Sequence, residues 1–184
     1  MNTGCRIPCD YVVVSGAGQT SSGSSSDHWE TGAYDIALLD AGIENFNVME
    51  YTSVLPLESN EISWEDAQQY FHHGAVLETI KAQMNGTRGQ VLCSGVGRMW
   101  VKHHGKRIGG FAAEFEGNCS ERVAIEALTE SLEGIFERRY GGKQSYEIED
   151  MKFDTRELIV DEEFGTVFVA ICFLNYIYPQ IEEE

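Results

Sequence analysis

The stretch Asn45–Pro56, NFNVMEYTSVLP, decides how the rest of the chain is organised. Its first half is typical of a β-strand, because aromatic and β-branched side chains have polar residues between them. Pro56 cannot continue the strand, since proline has no backbone N–H to give to a sheet. The pattern therefore predicts a strand that leads into the hydroxyl-bearing residues Thr52 and Ser53 and stops at Pro56.

Two interpretations fit the Thr52-Ser53 pair. In the first, which is the commoner on local grounds, the two hydroxyls line the end of a strand. In the second, Ser53 attacks the preceding carbonyl, forms an ester and is eliminated, so that a pyruvoyl group caps a new chain. Such a group provides an electrophilic carbonyl that can act as an electron sink, as the aldehyde of pyridoxal phosphate does. The two residues alone leave both interpretations open.

Length, charge and cysteine content restrict the class of protein. A chain of 184 residues is expected to form a single domain, 1–184, with a sizeable core. Its formal net charge of −17 argues against nucleic acid or an anionic membrane as partner and is compatible with a cationic small substrate. We expect no signal peptide, and the apolar run 166–178 is too short to cross a membrane, so it predicts a buried strand. Five scattered cysteines predict reduced thiols and hence a cytoplasmic protein.

The sequence favours no metal site. Cys5 and Cys9 have a loose metal-ligand spacing, but no second pair completes a tetrahedral set. Neighbouring side chains of a strand point to opposite faces, so the adjacent pairs His72-His73 and His103-His104 seldom bind one ion together.

Helices and strands can be placed from turn residues and apolar spacing. A strand at Tyr11–Val14 is expected to end at Gly16-Ala17-Gly18 and to lead into a flexible loop, 15–26. Thr31 is predicted to cap a short helix that ends at Gly42. Further strands are predicted at 75–84, 90–102, 107–116, 145–155 and 165–178, the first three forming an antiparallel meander with turns at Asn85-Gly86 and His104-Gly105-Lys106.

The longest helix is predicted at about 120–140, with Gly141-Gly142 as its end. Asn118 and Glu121 resemble a capping box. Its buried stripe is expected to consist of Ile125, Leu128, Leu132, Ile135 and Phe136.

Glu114 stands out within a mainly apolar strand. Strand alternation places it on the face opposite Ala113 and Phe115, together with Ala112. The carboxyl lies either at a wet end of the strand or in a desolvated place that raises its pKa. A raised pKa is what a proton donor working near neutral pH requires.

Several blocks of the sequence together resemble one enzyme family. They are Ala33–Ile43 (AYDIALLDAGI), Asn45–Asn47 (NFN), Thr52–Pro56 (TSVLP), His73–Val76 (HGAV) and Glu114–Gly117 (EFEG). In order and spacing these blocks resemble the pyruvoyl-dependent arginine decarboxylases, over most of the span from residue 11 to residue 178.

The resemblance implies a role for individual positions. Ser53 would become the pyruvoyl group and Thr52 would end the preceding chain, so that cleavage gives a β chain, 1–52, and an α chain, 53–184. Glu114 would protonate the carbon left by decarboxylation, and Asn47 would hydrogen-bond the pyruvoyl group. Asp35 would pair with the substrate guanidinium. The other residues implied to line the substrate site are Leu38, Glu44, Phe46, Thr52 and Val54.

The resemblance also implies a fold, a reaction and an assembly. The family fold is α+β, a four-layer αββα sandwich with mostly antiparallel sheets, which suits two helices flanking a set of strands. The reaction would convert L-arginine to agmatine and carbon dioxide through a Schiff base with the pyruvoyl group, without metal or pyridoxal phosphate. The chain would form a homotrimer of αβ units, or a multiple of it, with active sites between subunits. Either polyamine biosynthesis or acid resistance would be its purpose.

Two features depart from the family pattern. Many relatives carry Ser-Ser at the cleavage point, and the β-branched Thr52 found here predicts slower processing. Glu44 and Phe46 are bulkier than expected beside the site, which leaves substrate size open. The alternatives are a pyruvoyl decarboxylase for lysine or ornithine, an unprocessed relative that only binds ligand, and a generic α/β binding module.

Overall fold

The computed structural model describes residues 2–21 and 32–181, which form two β-sheets and the helices that cover them. In chain order the elements are β1 (Asn2–Thr3), β2 (Ile7–Pro8), β3 (Asp10–Thr20), α1 (Tyr34–Asp40), β4 (Asn47–Glu50), β5 (Val54–Leu55), β6 (Asn60–Glu61), α2 (Trp64–Ala67), a 3-10 turn (Gln68–Tyr70), β7 (Val76–Thr87), β8 (Val91–His103), β9 (Lys106–Gly117), α3 (Glu121–Tyr140), β10 (Tyr146–Ile159), β11 (Phe164–Phe173), β12 (Tyr176–Ile177) and β13 (Gln180–Ile181).

One sheet has five strands in the order β4-β7-β11-β3-β6, and the other has four in the order β10-β8-β9-β5. Neighbouring strands are antiparallel except for the short edge strands β6 and β4, which run parallel to β3 and β7. Two further short pairs, β1 with β13 and β2 with β12, join the N-terminal arm to the C-terminal segment.

Side-chain alternation divides the apolar residues among three packed interfaces. Residues such as Ile80, Val96 and Ile171 fill the space between the two sheets. Phe168, on the other face of β11, packs under α1, whereas Leu128 packs α3 against the four-stranded sheet. Each side chain of this size that is fully buried contributes roughly 1.5–3 kcal/mol. The layers therefore follow the order helix, sheet, sheet, helix, which confirms the predicted α+β sandwich.

The first long strand does not end at its glycines. β3 continues through Gly16 and Gly18 to Thr20, so the predicted strand end at Gly16-Ala17-Gly18 is wrong. These glycines let α1 approach the sheet closely, since a Cβ on Gly16 would lie 1.9 Å from the Ala37 carbonyl oxygen. The predicted loop 15–26 is wrong as far as Thr20. Residues 22–26 of that loop, like the predicted cap at Thr31, lie outside the described residues.

The predicted three-stranded meander is correct only in its second half. β8 and β9 form an antiparallel hairpin, turned at His104 and Gly105, both of which have positive φ. β7 belongs to the other sheet and continues through Asn85-Gly86, so the predicted turn there is wrong. The chain instead leaves β7 past Gly89, at φ +86°, and crosses between the sheets.

The long helix lies where it was predicted, but its first turn differs. Ser120 occupies the N-cap without a side-chain hydrogen bond, while the Asn118 amide donates to the Val91 carbonyl, so the predicted capping box does not form. Leu128 and Leu132 are buried as predicted, whereas Ile125 is 37% exposed.

The apolar run 166–178 contributes a fully buried central strand, β11, although that strand stops at Phe173. Among the described residues no helix is long and apolar enough to span a bilayer.

Candidate active site

The segment that joins β4 to β5 crosses from the five-stranded sheet to the four-stranded sheet. On the first side, the Tyr51 N–H donates to the Thr79 carbonyl of β7 at 2.7 Å. On the second side, the Ser53 carbonyl accepts from the Ala112 N–H of β9 at 3.0 Å. Only Thr52 lies between these anchors, so the Thr52–Ser53 peptide bond spans the two sheets.

Pairing of β5 with β9 brings Ser53 to Glu114. Val54 lies opposite Phe111 in the antiparallel register, which sets Ser53 beside Ala112 and within reach of Glu114. The Ser53 Oγ lies 3.4 Å and 3.3 Å from Oε1 and Oε2 of Glu114. Both carboxylate oxygens thus face one hydroxyl, although the two residues are 61 positions apart in the sequence.

Glu114 occupies the strand face that alternation predicts. Ala112 packs between the sheets, while Ala113 and Phe115 pack toward α3, so Glu114 lies on the inter-sheet face. Its side chain is exposed by total area, but the carboxyl is surrounded closely enough for desolvation to raise its pKa above the ordinary value. The Ser53 hydrogen bond opposes this rise, and the nearby carboxylates of Glu50 and Glu116 add to it.

The carbonyl that Ser53 would attack is itself hydrogen-bonded. The Val54 N–H donates to the Thr52 carbonyl oxygen at 3.1 Å, closing a tight turn around Ser53. A donor at this oxygen stabilises negative charge that develops there during attack on the carbonyl carbon. Nucleophile, carboxylate and polarised carbonyl therefore lie within one short segment and its partner strand.

The other predicted site residues form a second group around α1 and the segment that follows it. Asp35 is exposed in the first turn of α1, and Leu38 and Phe46 are partly buried in the cluster beneath that helix. Glu44 accepts a hydrogen bond from Asn45 at 2.7 Å. Asn47 is exposed, and its side-chain amide donates to the Gly74 carbonyl at 2.9 Å.

Within one chain, the described part of the structure gives no hydrogen bond between this second group and the Ser53–Glu114 pair. Thr52 and Val54 border the pair directly and are exposed, Val54 by 51%. The candidate site therefore consists of two halves, which no hydrogen bond within the described part of one chain joins.

Local sequence patterns do not reveal the groups that hold residues 51–53, the cleavage segment, in place. The Ala112 and Val54 N–H groups depend on strand register, which no local pattern reveals. Glu78 has a signal visible in the sequence, since it is a carboxylate within the apolar run of β7. The described residues contain no group of three or more potential metal-ligating side chains.

Comparisons with known proteins show which family the chain resembles. A protein-family model described as pyruvoyl-dependent arginine decarboxylase matches residues 10–178. A pyruvoyl-dependent arginine decarboxylase from Chlamydia trachomatis is 34% identical over 190 residues, covering 96% of this chain and 95% of the relative. One from Chlamydia muridarum is 34% identical over 192 residues with the same coverage. One from Thermococcus kodakarensis is 25% identical over 145 residues, covering 78% of this chain and 85% of the relative. The matched span includes both halves of the candidate site.

Proposed function

The chain belongs to the pyruvoyl-dependent arginine decarboxylase family, and we propose that it converts L-arginine to agmatine and carbon dioxide with a pyruvoyl group made from its own Ser53. The observation that carries this proposal is the contact of the Ser53 Oγ with both oxygens of Glu114, beside a hydrogen-bonded Thr52 carbonyl. Self-cleavage would divide the single domain 1–184 into a β chain, 1–52, and an α chain, 53–184.

The first stage of processing is an acyl shift at the Thr52–Ser53 bond. The Ser53 Oγ attacks the Thr52 carbonyl carbon, the C–N bond breaks, and the hydroxyl proton ends on the freed amine. Glu114 is placed to accept that proton from Oγ and pass it on. The Val54 N–H supports the negative charge on the Thr52 oxygen.

The second stage releases the β chain. Loss of the Ser53 α-proton breaks the new ester bond, Thr52 leaves as a carboxylate, and residue 53 becomes dehydroalanine. Water then replaces the nitrogen, which departs as ammonia, and the α chain begins with a pyruvoyl group.

The residues present fit such a group. The carbonyl of residue 53 survives processing, and the Ala112 N–H that binds it in the structure would continue to polarise it. When present, a pyruvoyl group supplies a carbonyl that withdraws electrons as carbon dioxide leaves the substrate. Asn47 would hold the group through its side-chain amide.

Glu114 supplies the proton that replaces carbon dioxide on the substrate α-carbon. Desolvation raises the pKa of its carboxyl, so a larger fraction stays protonated toward neutral pH than for an exposed glutamate. Glu114 therefore serves both self-cleavage and decarboxylation. Its ionised form accepts the Ser53 proton during cleavage, and its protonated form donates a proton to the substrate carbon during decarboxylation.

Asp35 would bind the substrate guanidinium, whose planar set of donors suits a carboxylate. Thr52, Val54 and the residues around α1, namely Leu38, Glu44 and Phe46, would line the substrate site. Because no hydrogen bond within the described part of one chain joins Asp35 or Asn47 to Ser53, we propose that neighbouring copies complete each site in a homotrimer of αβ units or a multiple of it. We place the enzyme in the cytoplasm, since all five cysteines are free thiols. Its purpose would be either polyamine biosynthesis or acid resistance.

The proposal is tested by incubating the purified protein separately with arginine, lysine and ornithine and measuring the amine released. We expect agmatine from arginine, little product from the other two, and none from the Ser53→Ala variant. Asp35→Asn should raise the KM for arginine more than it lowers kcat, because it removes a charge partner remote from the reacting carbon. Equal rates on all three amino acids would contradict guanidinium recognition, and activity of Ser53→Ala would contradict the whole assignment.

A further inference from the structure

A buried carboxylate that the proposed reaction does not use lies behind the cleavage segment. Glu78 of β7 is only 6% exposed, and its two oxygens have different partners. The Tyr51 hydroxyl donates to Oε2 at 2.6 Å, while the Arg6 guanidinium forms an ion pair with Oε1. Since an ionised carboxylate is costly to bury unless it is paired and hydrogen-bonded, this arrangement keeps a charge in place beneath the segment.

Tyr51 links this carboxylate to the scissile bond. Its N–H binds Thr79 and its hydroxyl binds Glu78, so both the backbone and the side chain are held by β7. Its ring packs against the inter-sheet core, 5.8 Å from the Phe173 ring. Ser53, two positions later, is held by β9 instead. The contacts of Tyr51 with β7 therefore fix the position of the Thr52 carbonyl, and the contact of Ser53 with β9 fixes the position of the nucleophile.

Arg6 comes from the N-terminal arm, which the C-terminal segment holds in place. The Gly4 N–H donates to the Pro179 carbonyl at 2.9 Å, and β2 pairs with β12. The Arg6 guanidinium carbon lies 4.9 Å above the Tyr176 ring. When the arm docks, it delivers a positive charge to Glu78, and the buried carboxylate then has a partner at both oxygens.

We propose that Glu78 is a positioning residue for self-cleavage, which orients the Thr52 carbonyl through Tyr51 and requires Arg6 of the docked N-terminal arm as its counter-ion. This inference rests on the proposed processing at Ser53. It couples the folding of the two chain ends to maturation, because the bond is held for attack only after the arm is in place.

The primary test is the cleavage rate of Tyr51→Phe, which removes a single oxygen. Loss of one hydrogen bond to a charged acceptor predicts cleavage about tenfold slower or more. Turnover per processed α chain should stay within about twofold, because Tyr51 lies across the broken bond from residue 53. A general loss of structure would lower both quantities together, so the split between them distinguishes positioning from stability.

Variants at the carboxylate and its counter-ion extend the test. Glu78→Gln keeps an acceptor for Tyr51 but loses the pairing with Arg6, and it should also slow cleavage. Because the two residues act on one contact, the Tyr51→Phe/Glu78→Gln double variant should be little slower than the slower single variant. Arg6→Gln should slow cleavage, and Arg6→Lys, which retains the charge, should restore most of the rate.

The experiment uses timed cell-free synthesis of the full chain, followed by denaturing intact-mass analysis and a melting curve for each product. Tyr70→Phe is the matched control, since it also loses one tyrosine hydrogen bond, from Asn175 at 3.2 Å, away from the segment. Slow cleavage of Tyr51→Phe with a Tm like that of the control supports the proposal. Cleavage of Tyr51→Phe at the parent rate, or equal slowing of Tyr70→Phe, overturns it while leaving the proposed function intact. A parent chain that never cleaves overturns both.

Discussion

Replacing Glu114 by glutamine tests the chemical role of the carboxyl that faces Ser53. The amide has nearly the same shape but cannot donate an acidic proton, so the variant separates packing from proton transfer. A positioned acid contributes roughly 10²- to 10⁴-fold to a proton-transfer step, equivalent to about 2.7–5.4 kcal/mol of barrier. The upper part of this range is expected, since the Glu114 carboxyl lies beside residue 53, where the pyruvoyl group would form, and desolvation raises its pKa.

The assay must count processed chains, because Glu114→Gln should also cleave more slowly. Agmatine formation is therefore measured per α chain carrying the blocked N-terminus, as quantified by intact mass. Glu114→Asp, which keeps an acid one methylene shorter, should be intermediate in both cleavage and turnover. In the parent, turnover should fall as pH rises through the raised pKa of Glu114, and the glutamine variant should lack this dependence.

Glu116→Gln provides the matched control on the same strand face. Glu116 accepts the Gln83 N–H at 3.0 Å and makes no hydrogen bond to Ser53. Its removal takes away one repulsive charge, which lowers the pKa of Glu114 slightly, and turnover should change by less than about threefold. Per-chain turnover of Glu114→Gln within the range of this control would refute the assignment of Glu114 as proton donor.

Three further predictions concern processing, packing and pH. Thr52→Ser should speed cleavage a few-fold by relaxing a β-branched residue beside the scissile bond, as followed by intact mass; equal rates would contradict this. Gly18→Ala should destabilise the fold by about 3 kcal/mol in denaturant unfolding, because its Cβ would lie 2.1 Å from the Ala33 carbonyl oxygen. A cost no larger than that of Gly4→Ala, whose Cβ would meet nothing nearer than 3.7 Å, would contradict close packing of α1. The pKa of Glu114 is higher in the folded state, so its contribution to stability is full below the unfolded pKa near 4.5 and is lost as pH rises through the folded pKa. The free energy of unfolding of the parent should therefore fall relative to that of Glu114→Gln as pH rises from the unfolded to the folded pKa. A difference between the two proteins that stays constant with pH would contradict the raised pKa.

Local patterns predicted most of the elements, because they depend on residues close in sequence. Strand alternation placed Glu114 on the same face as Ala112, and the apolar spacing of Leu128 and Leu132 located the long helix. The same local patterns give the wrong end for β3 at its glycines. Gly16 and Gly18 are general turn signals, but here they remove side chains where a helix presses on a strand, and that contact is invisible before α1 is docked.

The site depends more on long-range geometry than on pattern. No local signal says that β7 and β8 belong to different sheets, or that Ser53 pairs beside Ala112. The crossing of residues 51–53 between the sheets follows from both facts. The roles of Asp35 and Asn47 could be assigned only through resemblance to a family, because both side chains are exposed and the described part of one chain gives neither of them a hydrogen bond to Ser53.

Self-cleavage at Ser53 is tested most directly by the denaturing intact mass of the purified protein. We expect two chains, residues 1–52 and residues 53–184, with the larger one lighter than a serine-initiated chain by the mass of one ammonia. A single chain of 184 residues that stays uncleaved over days would contradict it, because an intact Ser53 offers no electrophilic carbonyl for decarboxylation.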